Sequence, residues 1–168
     1  MNDTTKFHLL EAFAVNAAAN RRYLAYGRKA QDEGFTGAAQ LFRAVARSET
    51  ILAANHLKTA GDIRTTAENI RHALVHEREG LLSASSGYIS KAEEEHEDSA
   101  RIVFSRSHNA EQSHAIFYEK ALQDLEQGRD CGFGRLHICS ACGYLMEGEP
   151  PDMCPNCGVG KKLIPAID

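Results

Sequence analysis

Two Cys-x2-Cys pairs, Cys139-Ser140-Ala141-Cys142-Gly143 and Cys154-Pro155-Asn156-Cys157-Gly158, lie close together near the C-terminus. The glycine after each pair permits a tight turn in which backbone N–H groups point at sulfur and stabilise thiolate over thiol. Two such turns brought together make a tetrahedral site of four sulfurs for one metal ion. These ligands alone leave iron and zinc both open. In a reducing compartment this spacing reads as metal ligation and not as disulfides. The fifth thiol, Cys131, has no partner at a suitable spacing and reads as a spectator.

A second set of candidates lies upstream. In Glu111-Gln112-Ser113-His114 a carboxylate and an imidazole stand at i and i+3 on one helical face, the way inward-facing helices of a bundle build metal sites. Glu49 is flanked, like Glu111, by apolar or small residues that turn it inward. His56, seven residues after Glu49, and His108, three before Glu111, fall near the same faces. The acidic run Glu93-Glu94-Glu95 with Glu97 and Asp98 reads as a solvated helix end.

The elements that must position these groups are helical. From Thr5 to about Gln127 there is no proline, and Ala, Leu, Glu and Arg recur with apolar residues at three- and four-residue spacing. Glycines break the pattern at Gly34, Gly37, Gly61 and Gly128, and Thr65-Thr66-Ala67-Glu68 has the form of a capping box. Four helices follow, at roughly 5–32, 37–60, 66–94 and 98–127. Sliding the chain so that Tyr26 falls on Tyr88 superposes Lys29 on Lys91, Glu33 on Glu95, Phe42 on Phe104 and Glu49 on Glu111. A duplicated helical hairpin predicts an all-α four-helix bundle with approximate twofold symmetry. After Gly128 the chain turns rich in Gly, Pro and Cys, too short for a core of its own, so a metal must substitute for one. The expected domains are 1–130 and 131–168.

The formal net charge of -4 is spread over both signs, without the continuous basic surface that nucleic acid or an anionic membrane requires. No apolar run is long enough to span a bilayer and the first residues are polar, so the expected location is cytoplasmic, with no membrane partner.

With its helix-pair duplication, Glu111-x-x-His114 and four-cysteine segment, the chain resembles the rubrerythrin family over essentially its whole length. The stretches Glu11-Ala12-Phe13-Ala14, Arg22-Tyr23, Asp32-Glu33-Gly34-Phe35, Leu41-Phe42-Arg43-Ala44 and His56-Leu57 are similar to that family's first two helices, and Pro150-Pro151 ahead of Cys154-Pro155 to its rubredoxin domain. The resemblance implies a ferritin-like bundle with a carboxylate-bridged di-iron centre, reduced through a rubredoxin-like iron and discharging electrons onto hydrogen peroxide. It also favours iron over zinc at the four cysteines.

Carried over residue by residue, the ligand set is incomplete. The family's first-helix glutamate is Asn16 here, the histidine three residues after Glu49 is Leu52, and of the third helix's two glutamates Glu77 remains while the second is Gly80. Glu111 and His114 are intact. The resemblance makes Glu49 and Glu111 the bridging carboxylates, with Glu77 and His114 completing one iron; the other iron has lost its own ligands. Leucine cannot ligate, glycine has no side chain, and asparagine offers a weak neutral oxygen. One iron or other divalent ion is expected in the bundle, and a second is doubtful.

The same fold constrains assembly. In it the second and third helices run parallel, so the chain must return along the bundle by about 34 Å at roughly 1.5 Å per residue. The link from Gly61 to Thr65 spans at most about 17 Å. A homodimer that exchanges helix pairs is therefore expected, the alternative being a plain up-down-up-down bundle, which so short a link also permits. The functional expectation is electron transfer through a tetrathiolate iron, with peroxide reduction at a degraded, mononuclear bundle site supplied by a redox donor protein, and with Tyr23 bordering the pocket. Whether the chain is an enzyme stays open. The rival is a structural or binding protein in which zinc only folds the C-terminal domain.

Overall fold

The computed structural model describes residues 1–167, and the side chains of residues 80–83 lie outside the description. The chain divides into two compact units, Met1–Arg64 and Thr65–Asp168.

The first unit is a helical hairpin of α1 (Asp3–Asp32) and α2 (Thr36–Thr59). The Asn2 side chain accepts from the Thr4 N–H and caps α1. The buried seam consists of Gly27 and Ala30 on α1 and Ala39, Ala46 and Ala53 on α2. Small residues there let the backbones close in: a Cβ on Gly27 would stand 3.4 Å from the Phe42 Cβ and 3.5 Å from the Ala39 carbonyl. A seam of alanines buries little apolar area, and larger side chains, Leu41, Ile51 and Leu52 among them, stay exposed.

The second unit begins at the expected capping box, in which Thr65 accepts from the Glu68 N–H while the Glu68 carboxylate accepts from the Thr65 N–H. α3 (Thr66–Val75) runs into a π-helical segment (His76–Leu81) and on into α4 (Leu82–Glu94); α5 (Asp98–Glu126) follows. The third expected helix thus exists, but a π turn interrupts it, with the one extra residue such a turn inserts. Both α3 and α4 pack on α5. Beyond α5, β1 (Leu136–Ile138) and β2 (Leu145–Glu147) pair antiparallel, Leu136 opposite Glu147. A short 3-10 turn (Lys161–Leu163) closes the chain. Among the described residues no helix is long and apolar enough to cross a membrane.

The repeat is visible in three dimensions. Tyr26 meets Phe42 at 5.6 Å between ring centroids, and its counterpart Tyr88 meets Phe104 at 5.5 Å. Lys29 pairs with Glu33 at 3.0 Å and Lys91 with Glu95 at 3.3 Å. The interhelical turns match as well: Phe35 N–H donates to the Ala30 carbonyl at 2.8 Å, and Glu97 N–H to the Ala92 carbonyl at 2.9 Å. Each turn holds one residue in the left-handed region, Gly34 at φ 84° and His96 at φ 58°.

Candidate metal centres

At the C-terminus the two cysteine knuckles repeat one another. Gly143 and Gly158, at φ 75° and 76°, donate their N–H groups to the carbonyls of Cys139 and Cys154. This gathers the four thiols so that every ligand atom lies within 4.8 Å of the others, with Cys139 Sγ 3.6 Å from Cys157 Sγ and Cys142 Sγ 3.7 Å from Cys154 Sγ. Sulfurs bound about 2.3 Å from a tetrahedral ion would stand about 3.8 Å apart, so the cluster fits one ion. Burial raises the Cys139 thiol, but N–H groups of Ala141 and Cys142, with neighbouring thiols, outweigh it and bring that thiol down to about 7. At Cys142 burial prevails and pushes the thiol up to about 12. Four crowded sulfurs cannot all ionise without a cation among them. The surrounding cluster is Cys139, Cys154 and Ile164 with Tyr144, Met146 and Val159 against them, so the ligands themselves occupy the centre of this domain's core.

The domain is fastened to α5 within the second unit. Leu145 N–H donates to Ser113 Oγ at 3.1 Å, Lys120 pairs with Glu147 at 2.9 Å, and Asn156 Nδ2 donates to the Arg106 carbonyl at 2.8 Å. The same Asn156 amide lies 3.4 Å from Cys142 Sγ. Nothing in the Cys-Pro-Asn-Cys spacing signals that contact, and sequence reasoning missed it. Cys131 is away from the cluster, its sulfur 3.9 Å from the Ala121 carbonyl, on the wall of an apolar cavity of about 320 Å³ that Phe117, Phe133 and Leu145 also line.

The helical candidates fall in two places. In the second unit, His114 Nδ1 stands 3.6 Å from Glu77 Oε1, and its Nε2 stands 3.0 Å from the Gly143 carbonyl. A carbonyl only accepts, so Nε2 carries a proton, and in the neutral ring the Nδ1 lone pair is left facing the Glu77 carboxylate. Glu77 Oε2 and Glu111 Oε2 are both buried without a hydrogen-bond partner. Burial, then the nearby Glu77 charge, raise the Glu111 carboxyl above its usual range, against the opposing pull of His108, His114 and His76. An unpartnered buried oxygen costs about 1–3 kcal/mol, more when charged, and a cation among these groups would satisfy them. Glu77, Glu111 and His114 therefore fit a divalent ion. They are not drawn as tightly together as the thiols, which among the described residues are the one set of three or more His, Cys, Asp or Glu ligand atoms gathered within 4.8 Å of one another.

Several neighbours are otherwise engaged. His108 Nδ1 is 2.7 Å from Ser85 Oγ, and Arg78 pairs with Glu119. Gly80 lies in the stretch outside the described side chains. Glu49 belongs to the first unit, where Asn16 Nδ2 donates to its Oε2 at 2.6 Å. Tyr23 packs its ring against Tyr26 and Phe42 in that unit.

Comparison with known proteins agrees with this arrangement. Residues 8–122 match the family described as Rubrerythrin, and residues 137–163 match Rubrerythrin, rubredoxin-like domain. Rubrerythrin-2 of Clostridium acetobutylicum is 28% identical over 99% of this chain and 98% of its own. Nigerythrin of Nitratidesulfovibrio vulgaris is 29% identical over 92% and 82%, and rubrerythrin of Porphyromonas gingivalis 30% over 91% and 84%. Among solved structures, fully reduced, all-ferrous nigerythrin superposes with a TM-score of 0.55 at 27% identity, covering 97% of this chain and 86% of that one. A ferritin-like helical region joined to a rubredoxin-like four-cysteine site places the chain in the rubrerythrin family, as a rubrerythrin-like iron protein.

Proposed function

We propose that the chain transfers electrons through iron held by Cys139, Cys142, Cys154 and Cys157 to a single metal ion held by Glu77, Glu111 and His114, with Glu49 as a further ligand, and that peroxide is reduced there slowly. The observation that carries this reading is the pair of unpartnered buried oxygens, Glu77 Oε2 and Glu111 Oε2, together with a histidine whose Nδ1 stands 3.6 Å from the other Glu77 oxygen, Oε1. Iron bound by four thiolates supplies one-electron transfer. The protein's own part is to orient: the Gly143 carbonyl fixes the His114 tautomer, and Ser113, Lys120 and Asn156 clamp the four-cysteine domain onto α5. Reduction of hydrogen peroxide to water takes two electrons and two protons, which a single metal centre delivers less readily than a pair. Low turnover follows.

The proposed location is cytoplasmic and the proposed partner is a redox donor protein together with a second copy of the chain, exchanging helix pairs. Three features support the exchange. The alanine-seamed hairpin leaves Leu41, Ile51 and Leu52 exposed at 63%, 56% and 42%. The chain divides at Arg64, within the link that is too short to return along a ferritin-like bundle. Residues 1–64 carry nine Lys and Arg against six Asp and Glu, whereas residues 65–168 carry ten against seventeen, so a basic hairpin from one chain complements the acidic remainder of another.

Anomalous diffraction at the iron and zinc edges tests the metal assignment. Iron at the cysteines and one ion beside Glu77 and His114 are expected. Two well-occupied ions between the helices would sink the single-ion reading, and zinc at the cysteines with no ion in the bundle would favour a structural protein. Light scattering at micromolar concentration checks the dimer; a monomer excludes the exchange.

A further inference from the structure

The two cysteine knuckles match in backbone but differ at the residue ahead of the second cysteine. In Cys139-Ser140-Ala141-Cys142 that residue is Ala141, and in Cys154-Pro155-Asn156-Cys157 it is Asn156. Alanine has no side-chain donor. Asn156 reaches across the cluster to the opposite knuckle, where its Nδ2 stands 3.4 Å from Cys142 Sγ. The four sulfurs are therefore not equivalent in what surrounds them.

The Asn156 amide is not free to turn. Its Nδ2 donates to the Arg106 main-chain carbonyl at 2.8 Å, and its Oδ1 accepts from Asn109 Nδ2 at 3.0 Å, both partners belonging to α5. A carbonyl only accepts, so the end of the amide that faces Arg106 is the NH2, and the second hydrogen of that group is left for sulfur. Both hydrogens and the oxygen are thereby assigned. A helix outside the cluster fixes the direction of a donor whose target is a metal-binding sulfur. Beside it runs a groove of about 210 Å³ that Gln112, Tyr144 and Pro155 also line, from which water could reach the same place if the amide were cut away.

Four thiolates around ferric iron carry a net negative charge, and the electron that reduces the centre adds another. An N–H donor stabilises the more negative state more strongly, so it raises the reduction potential. We infer that Asn156 is a potential-setting residue: oriented by Arg106 and Asn109 of α5, it donates to Cys142 Sγ and makes the thiolate-bound iron easier to reduce. Asn156 binds no metal itself and acts through the sulfur. The inference rests on the electron-transferring iron proposed above. It adds that the attachment to α5 tunes that iron as well as fastening its domain.

The test is a spectroelectrochemical titration of the full chain loaded with iron at the thiolates. Asn156→Leu removes the donor, and its side chain, similar in size and apolar, keeps water from taking the amide's place. At a fixed poise the ratio of ferric to ferrous iron should rise by roughly threefold to tenfold, a potential lower by about 30–60 mV for one electron. Ser113→Ala cuts a different fastening of the domain to α5, the bond from Leu145 N–H, without touching a sulfur, and should leave the potential in place. An unchanged potential in Asn156→Leu overturns the inference. So does an equal fall in both variants, because Asn156 would then act only by holding the domain down. A chain whose cysteines take up no iron, or whose iron cannot be cycled, overturns the electron-transfer reading and the inference together. Should Asn156→Leu fail to fold, the unmodified chain loaded with cadmium-113 decides: a spin coupling between an Asn156 side-chain proton and the cadmium nucleus, carried through the Cys142 sulfur, is expected, and its absence overturns the inference.

Discussion

The α1–α2 hairpin and the hairpin that α5 forms with the helix before it share a frame and differ inside it. Their aromatic pairs, their Lys–Glu pairs and the hydrogen bonds of their turns superpose. Their inward groups do not. In the first hairpin Glu49 is satisfied by Asn16, whereas in the second Glu77 and Glu111 keep buried oxygens that no protein group serves. The frame is held by packing, helix termination and surface pairing, none of which involves the ligand positions. Ligand positions can therefore be lost without disturbing the scaffold, as at Asn16 and Leu52 in the first copy and Gly80 in the second.

A second difference is that only His114 is held from behind, by the Gly143 carbonyl of a cysteine knuckle. The largest expected effect breaks that support. Cys142→Ser removes one of four ligands, and metal-binding energy of about 10 kcal/mol or more is the folding energy of such a domain. Residues 135–168 should become protease-sensitive while helical circular dichroism persists; equal protection with and without metal would contradict this. Because ligation releases thiol protons, affinity should also fall with acidity. Cys139, brought down to about 7 without metal, adds one more proton to that competition only below that value, so the apparent metal affinity read by chelator competition should fall more steeply with acidity below about pH 7 than above it.

Next in size, His114→Leu gives the second hairpin the residue that the first has at Leu52. The bundle ion should be lost, a drop of roughly tenfold or more in affinity since a nitrogen ligand disappears and two carboxylates stay crowded. The reverse construction, Leu52→His with Gly80→Glu and Asn16→Glu, should raise metal content and peroxide turnover together. Elemental analysis and a peroxide assay on the same preparations check both, and a gain in turnover without a gain in metal would break the link between them.

Much of this was legible in the residues. The thiol spacing gave the metal cluster because its ligands are local in sequence and the turn chemistry allows few geometries. Glu111 and His114, three apart on one helix, were equally readable. The capping box at Thr65 and the four helices followed from periodicity. The π segment was not legible, since an insertion of one residue leaves apolar spacing nearly intact and shows itself only when two copies are aligned on both sides of it. Nor was the Asn16 bond: composition registers an asparagine as a missing carboxylate, and only the geometry shows its NH2 facing Glu49. The Gly143 to His114 contact joins residues 29 apart through a carbonyl, which any residue possesses.

The smallest expected effect sharpens the comparison at the turns. Gly34 and His96 occupy the same left-handed position, but His96 carries a Cβ there. For an L-residue that conformation costs about 1–2 kcal/mol, while glycine adopts it freely and loses about 0.5–1 kcal/mol through greater freedom in the unfolded chain. The balance predicts that His96→Gly stabilises the second hairpin by about 0.5–1 kcal/mol and that Gly34→His destabilises the first by a similar amount. Denaturant unfolding followed by helical circular dichroism reads both variants, with midpoints moving in opposite directions at unchanged slope. The hydrogen bonds flanking the turn, Glu97 N–H to Ala92 and His96 N–H to Glu93, are backbone bonds that the substitution leaves in place. A loss of stability in His96→Gly would therefore mean that the imidazole makes a contact that outweighs its backbone cost, and that the two turns, alike in geometry, are held by different means.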